Sequence, residues 1–184
     1  MIAAIANAIV VILEIIGLSI SISARKWKIL AFYTQLSNLI TLVSSFLFVM
    51  LPTSGFVTTL RYLSSCMLVM TFAVTVFVLV PMGGGAKNLL FSGNGLYHHT
   101  LCPIISVTCY LLWEPHITSP YEVILPTAVT FLYGIVMLVL NGRRKYDGPY
   151  PFLRVHNQSA FATVIWMLIL TGTIAAISYA ICRI

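Results

Sequence analysis

The feature that most constrains this chain is the recurrence of apolar runs about 20 residues long, the length an α-helix needs to cross the hydrocarbon of a bilayer. Six such runs are present, at about 2–22, 29–51, 56–80, 94–113, 121–140 and 160–180, joined by short connections that hold most of the Pro, Gly and basic residues. Of the 184 residues 60% are hydrophobic and only 8% charged, against about a quarter charged in soluble domains. The expected fold is therefore all-α: a polytopic integral membrane protein built as one six-helix bundle over residues 1–184, with no room for a soluble domain. The stretch 86–97 reads as a loop or interfacial segment leading into the fourth run.

Eight of the ten basic residues fall in the first, third and fifth connections, and only Arg61 and Arg183 lie on the other side. The positive-inside rule then places the odd connections in the cytoplasm and both termini opposite, in a bacterial cytoplasmic membrane or an endomembrane. A net charge of +6 is explained by this topology, so no nucleic-acid partner is expected. The first run lacks a basic leader and a small-residue cleavage site and reads as a retained helix. Cys66, Cys102, Cys109 and Cys182 all lie in apolar segments without paired spacing, as small core residues do.

Within the second run, Thr34, Ser37, Asn38, Thr41 and Ser45 recur at i, i+3, i+4, i+7 and i+11 and form one polar face of a helix. An unpaired hydroxyl or amide in hydrocarbon costs about 2 to 7 kcal/mol, so this face must look into the bundle. Small polar side chains also glue membrane helices together, which accounts for Ser37, Thr41 and Ser45. Glu14 is the one acid embedded near the middle of a run and is an accessory candidate for the same interior site.

The second and fourth runs enter the membrane from the same side. Thr34 lies about five residues into one and His98 about four into the other, so at 1.5 Å per residue both sit roughly 6 to 8 Å below one surface. A threonine hydroxyl beside a histidine base is the minimum equipment for acyl transfer. Asn38 or Asn94 could donate to the developing oxyanion, and Glu14, Tyr33 or Tyr133 could orient the imidazole. His98 and His99 point about 100° apart, so one of them faces a given site. His116 and His156 lie at the wrong depths for paired haem ligation, and the scarce acids and scattered cysteines do not supply a zinc set. No metal or cofactor is expected.

Three patches extend this reading. Phe32-Tyr33-Thr34-Gln35-Leu36-Ser37-Asn38, Asn94-Gly95-Leu96-Tyr97-His98-His99-Thr100-Leu101-Cys102-Pro103 and Tyr150-Pro151-Phe152-Leu153 resemble, in order and spacing, the family of the androgen-induced gene protein and the androgen-dependent TFPI-regulating protein. That resemblance implies a multi-pass hydrolase of fatty acid esters of hydroxy fatty acids. By position, Thr34 corresponds to the family threonine and His98, five residues before Pro103, to its histidine; Asn94 also corresponds. The Ser37-Asn38 pair replaces the family's acid after the threonine, and His99 is an addition; the polar substitutions around Thr34 resemble bacterial six-span relatives. The expectation is an intramembrane threonine hydrolase taking a lipid ester from the bilayer, with transfer to another lipid using the same acyl-threonine. The alternative is a non-enzymatic lipid or small-molecule binding protein or transporter, with Glu14, Asn38 and His98 in a polar cavity. No inverted repeat between the two halves supports transport.

Overall fold

The computed structural model describes residues 1–117 and 119–184, and its regular structure is helical throughout. Helix α1 (Ile2–Arg25) passes through a 3-10 turn, Lys26–Ala31, into α2 (Tyr33–Met50). Helix α3 (Gly55–Val74) continues as a π-helical stretch, Thr75–Gly84. Two short turns follow, α4 (Ala86–Leu90) and α5 (Gly93–Gly95), then a π-helical turn, Leu96–Leu101, and α6 (Cys102–Trp113). Helices α7 (Ile124–Gly142) and α8 (Ala160–Cys182) complete the chain.

Five helical stretches are long and apolar enough to cross a membrane: Ile2–Ala31, Tyr33–Met50, Gly55–Gly84, Tyr121–Gly142 and Ala160–Cys182. The chain is an all-α polytopic membrane bundle. The run expected at 94–113 is helical from end to end but assembled from three pieces, of which the longest, α6, has 12 residues. The cause lies in its proline. Pro103 lacks an N–H and its ring crowds the carbonyl four residues back, His99, so the backbone widens to the π form over Leu96–Leu101. Pro81 sits inside the other π stretch in the same way.

Polarity runs inside out relative to a soluble protein, because the outer solvent is hydrocarbon. On α2, Ser37, Asn38, Thr41, Ser44 and Ser45 are fully buried, while Val43 and Phe46 are about half exposed, at 46% and 53%. On α1, Asn7, Glu14 and Ser21 recur every seven residues and all point inward, whereas Ile5, Ile9 and Ile12 face out. Helix α2 packs between α1 and α3, α6 closes against both of these, and α7 pairs with α8. All four cysteines are free and buried.

One ionic knot ties the first four of these helices together. The Arg61 guanidinium meets both carboxylate oxygens of Glu114, through Nε and Nη2, at 2.8 Å each. Its remaining N–H groups donate to Ser45 Oγ and Ser106 Oγ at 3.0 Å and to the Ser106 carbonyl at 3.2 Å. The Asn7 amide donates to Glu114 Oε1 at 2.8 Å. Residues from α1, α2, α3 and the end of α6 thus share one buried pair. Arg61 is therefore not a topology-setting charge at the membrane surface, where its position near the start of a run suggested it, and Glu114 is not simply a loop boundary.

Removing one partner leaves a buried unpaired charge, which costs about 3 to 5 kcal/mol. Arg61→Ala and Glu114→Ala should each lower the thermal unfolding midpoint of detergent-purified protein by that equivalent, and Arg61→Met combined with Glu114→Leu should recover part of the loss. A single variant as stable as wild type would show that the pair does not hold the helices.

Candidate functional site

The site grows from the start of α2. Phe32 is extended (φ −91°, ψ 127°), so α2 begins abruptly at Tyr33 and Thr34 is its second residue. The first N–H groups of a helix have no partner within it. No side chain of the preceding segment caps them; instead two distant tyrosines do. Tyr133 Oη accepts from the Tyr33 N–H at 3.1 Å, and Tyr150 Oη accepts from the Thr34 N–H at 3.2 Å. Tyr150 also lies 3.1 Å from Thr34 Oγ1. Its ring is stacked on Phe152 and meets the edge of Phe32. Burial pushes the Tyr150 phenol above its ordinary pKa, so it stays protonated and keeps an O–H to donate. The Tyr150-Pro151-Phe152-Leu153 patch thus has a structural part: it caps α2 at the candidate nucleophile.

Thr34 and His98 are neighbours but make no hydrogen bond to each other among the described residues. The Asn38 amide links them indirectly, donating to the Thr34 carbonyl at 2.6 Å and to the His98 carbonyl at 3.4 Å. Those two carbonyls occupy the Asn38 amide, which leaves it poorly placed as an oxyanion donor. His98 is fully buried, with Nδ1 3.0 Å from Gln35 Nε2 and Nε2 3.4 Å from Glu14 Oε2. As Gln35 donates to Nδ1, the His98 proton resides on Nε2, facing Glu14. The 3.4 Å separation is short enough for an ion pair yet poorly aligned, and neither Glu14 oxygen nor His98 Nε2 has a hydrogen-bond partner. The ring fits there because α1 presents Gly17: a Cβ at that position would fall 2.7 Å from His98 Cδ2. Of the three candidate orienting groups, Glu14 alone reaches His98; Tyr33 bonds Thr130, and Tyr133 bonds the Ala31 carbonyl.

His99 is placed differently. Its Nδ1 lies 2.6 Å from Thr75 Oγ1, and Thr75 Oγ1 in turn donates to the Thr71 carbonyl at 2.8 Å. A hydroxyl has one proton, and a carbonyl can only accept, so Thr75 must accept from His99 Nδ1–H. The other nitrogen, Nε2, is thereby left as an unprotonated lone pair, the tautomer a general base needs.

Two cavities meet at Thr34. The larger, about 510 Å³, is lined by Thr34, Gln35, His99, Asn94, Ser21, Arg25 and Tyr150, at the end of the bundle carrying the odd connections. His98 does not line it. Asn94 donates to Ser21 Oγ at 3.1 Å and keeps a second amide N–H at the cavity wall. The smaller, about 50 Å³, is an apolar slot between α3, α7 and α8 that is also lined by Thr34 and Tyr150. Arg25, on the wall of the large cavity, holds its guanidinium 4.8 Å from the centre of the Phe32 ring, and the next residue, Lys26, has a positive φ of 52°, a conformation rare for a side chain-bearing residue.

Among the described residues no three His, Cys, Asp or Glu side chains come together as a metal site. The parts not singled out from sequence are Gln35, Thr75, Arg25, and the polar role of His99. Gln35 stood beside Thr34 in the polar stretch but off its periodic face. The Thr75 contact depends on how the two π turns bring 75 and 99 together, which periodicity does not encode. No family model matches the chain, no curated protein matches it, and no solved structure matches it.

Because only a glycine clears the His98 ring, Gly17→Ala should lower stability by about 1 to 3 kcal/mol in thermal unfolding. Gly172→Ala, with nothing within 4 Å of the added Cβ, should be neutral or slightly stabilising by up to about 1 kcal/mol. Equal effects of the two substitutions would mean that α1 does not seat His98 through Gly17.

Proposed function

We propose that the protein is an intramembrane hydrolase of lipid esters, of the type exemplified by fatty acid esters of hydroxy fatty acids, with Thr34 as nucleophile. The observation that carries this is the position of Thr34: it lines both a polar cavity and an apolar slot, and His99, whose Nδ1–H is taken up by Thr75, lines the same polar cavity. The reading includes six spans, with the 93–113 segment as the fourth. It also has the odd connections in the cytoplasm; with Arg61 buried in its ion pair, Arg183 is the single basic residue left on the opposite side.

The chemistry follows from the groups present. A histidine takes the Thr34 Oγ1 proton, directly or through one cavity water, as the oxygen attacks the ester carbonyl carbon. The Tyr150 O–H, 3.1 Å from Thr34 Oγ1, and the second Asn94 amide N–H, on the wall of the same cavity, are the donors to a developing oxyanion. Collapse breaks the acyl carbon–alkoxy oxygen bond, the histidine returns its proton to the departing alkoxide, and acyl-Thr34 remains. Water, deprotonated by the same ring, then releases the fatty acid and restores the Thr34 hydroxyl. Transfer to a lipid alcohol replaces only that last water. His98, the ring the resemblance selects, and His99, the ring on the cavity wall, compete for the base role; access favours His99, and His98 then serves to position Gln35 beside Thr34.

A second reading is favoured by one specific observation. Glu14, His98, Gln35 and Asn38 hold buried polar atoms without partners in the bundle interior, the composition of a polar relay in a binding protein or transporter.

Fluorophosphonate labelling of the purified protein separates these. Wild type should label, Thr34→Ala should not, and His99→Ala should label at least about a hundredfold more slowly, the lower range of a general-base contribution, with His98→Ala less affected. The reverse order for the two histidines would return the base role to His98. Undiminished labelling of Thr34→Ala would remove the nucleophile, and no labelling or ester turnover in wild type would favour the binding reading.

A further inference from the structure

We propose that the apolar slot between α3, α7 and α8 seats the acyl chain of the substrate as one unbranched hydrocarbon chain, and that Leu170, Met167 and Gly134 set how far it reaches. The slot is formed by helical stripes that converge: Met70 and Val74 on α3, Tyr133 and Gly134 on α7, Met167 and Leu170 on α8. Its lining from Met70 on α3 to Leu79 in the π-helical stretch that follows covers at most about 13 Å at 1.5 Å per residue, the scale of an extended chain rather than of a ring or head group.

Most of the hydroxyls in its wall are already spent, Thr171 being the exception. Thr75 bonds His99 and the Thr71 carbonyl, Thr71 bonds Ser37, Thr130 bonds Tyr33, and Tyr133 bonds the Ala31 carbonyl. A wall whose polar atoms are mostly satisfied internally offers mainly hydrocarbon surface, and such a cavity favours an apolar occupant over water. The polar cavity on the other side of Thr34 is its complement: Asn94, Ser21 and Arg25 suit the hydroxylated or anionic part of the ester and the attacking water. An ester bridging the two places its carbonyl at Thr34, acyl chain in the slot and alcohol portion in the polar cavity.

Width and flexibility set the selectivity. The slot is only about 50 Å³, so a chain enters by displacing thioether ends, and methionine is the side chain best able to yield. Helices α7 and α8 approach closely where Gly134 faces Met167: a Cβ on residue 134 would lie 2.7 Å from Met167 Cε and 2.9 Å from its sulfur. Gly134 therefore leaves Met167 free to move, and a larger residue there would drive the thioether into the slot. The assignment of the acyl portion to this side rests on the hydrolase reading; the occupancy of the slot by a hydrocarbon chain does not.

The test uses a C16 fatty acid carrying a terminal diazirine, photolysed with full-length protein in nanodiscs, the labelled residues being mapped by mass spectrometry. Wild type and Thr34→Ala should both label at Met167, Leu170 or their slot neighbours. Leu170→Trp should reduce that labelling by on the order of tenfold or more, since each methylene excluded from an apolar site weakens binding roughly fourfold. In parallel, the ratio of p-nitrophenyl palmitate to p-nitrophenyl butyrate turnover should fall in Leu170→Trp and Gly134→Leu and hold or rise in Met167→Ala. This opposed pair keeps the result distinct from misfolding. Labelling confined to outward residues such as Val164 and Leu168, or a chain-length ratio indifferent to all three substitutions, would overturn the proposal. Slot labelling without ester turnover in wild type would keep the chain site and sink the hydrolase.

Discussion

The Arg61–Glu114 pair is the contact on which the rest of this bundle depends. Association of helices in lipid gains little from burying apolar surface, since the surrounding chains are as apolar as leucine. What holds α1, α2, α3 and α6 in register is that a bidentate ion pair at 2.8 Å, with Ser45, Ser106 and Asn7 completing its shell, has no alternative partner in hydrocarbon. A pair this well satisfied offsets much of its desolvation cost, while any separation of the helices would expose the full cost. It lies at the end of the bundle with the chain termini, so the opposite end is free to open into a cavity.

At that opposite end, satisfaction is deliberately incomplete. Glu14, His98, Gln35 and Asn38 keep buried polar atoms without partners, in contrast to the Arg61 guanidinium, whose three nitrogens all donate. The backbone is irregular in the same region: two π stretches, each with a proline in or just after it, and an extended Phe32 that starts α2 without a local cap. These departures are linked physically. The missing cap is what admits Tyr150 to the Thr34 N–H, and the widened turns at 75–84 and 96–101 are what let Thr75 meet His99. Irregular backbone at membrane depth is tolerated where it borders a cavity, and π turns recur at functional sites.

Much of this was legible from residues alone. The polar face Ser37–Asn38–Thr41–Ser45 had to point inward, and it does; the limits expected for the helical runs lie within a few residues of those found, except around 29–33, where a 3-10 turn precedes α2. The common depth of Thr34 and the histidines also follows from helix rise. Less was legible where rotation about a helix axis matters. Depth arithmetic brings Thr34 and His98 to one level but does not say which face of a π turn looks at the cavity, and the widening at Leu96–Leu101 turns His99 toward Thr75 and His98 toward Glu14. Arg61 looked like a surface charge because sequence position near a span end says nothing about a partner 53 residues away.

By itself the sequence determined the solvent of this protein, its helical class and the inward direction of its polar stripes, because those depend on transfer free energies and helical periodicity, which are local properties. Only the tertiary structure decided the pairings: Arg61 with Glu114, Tyr150 with Thr34, Gln35 with His98 and Thr75 with His99. Each joins residues far apart in the chain, and its geometry is set by how proline-distorted turns and glycine contacts such as Gly17 and Gly134 rotate one helix against another.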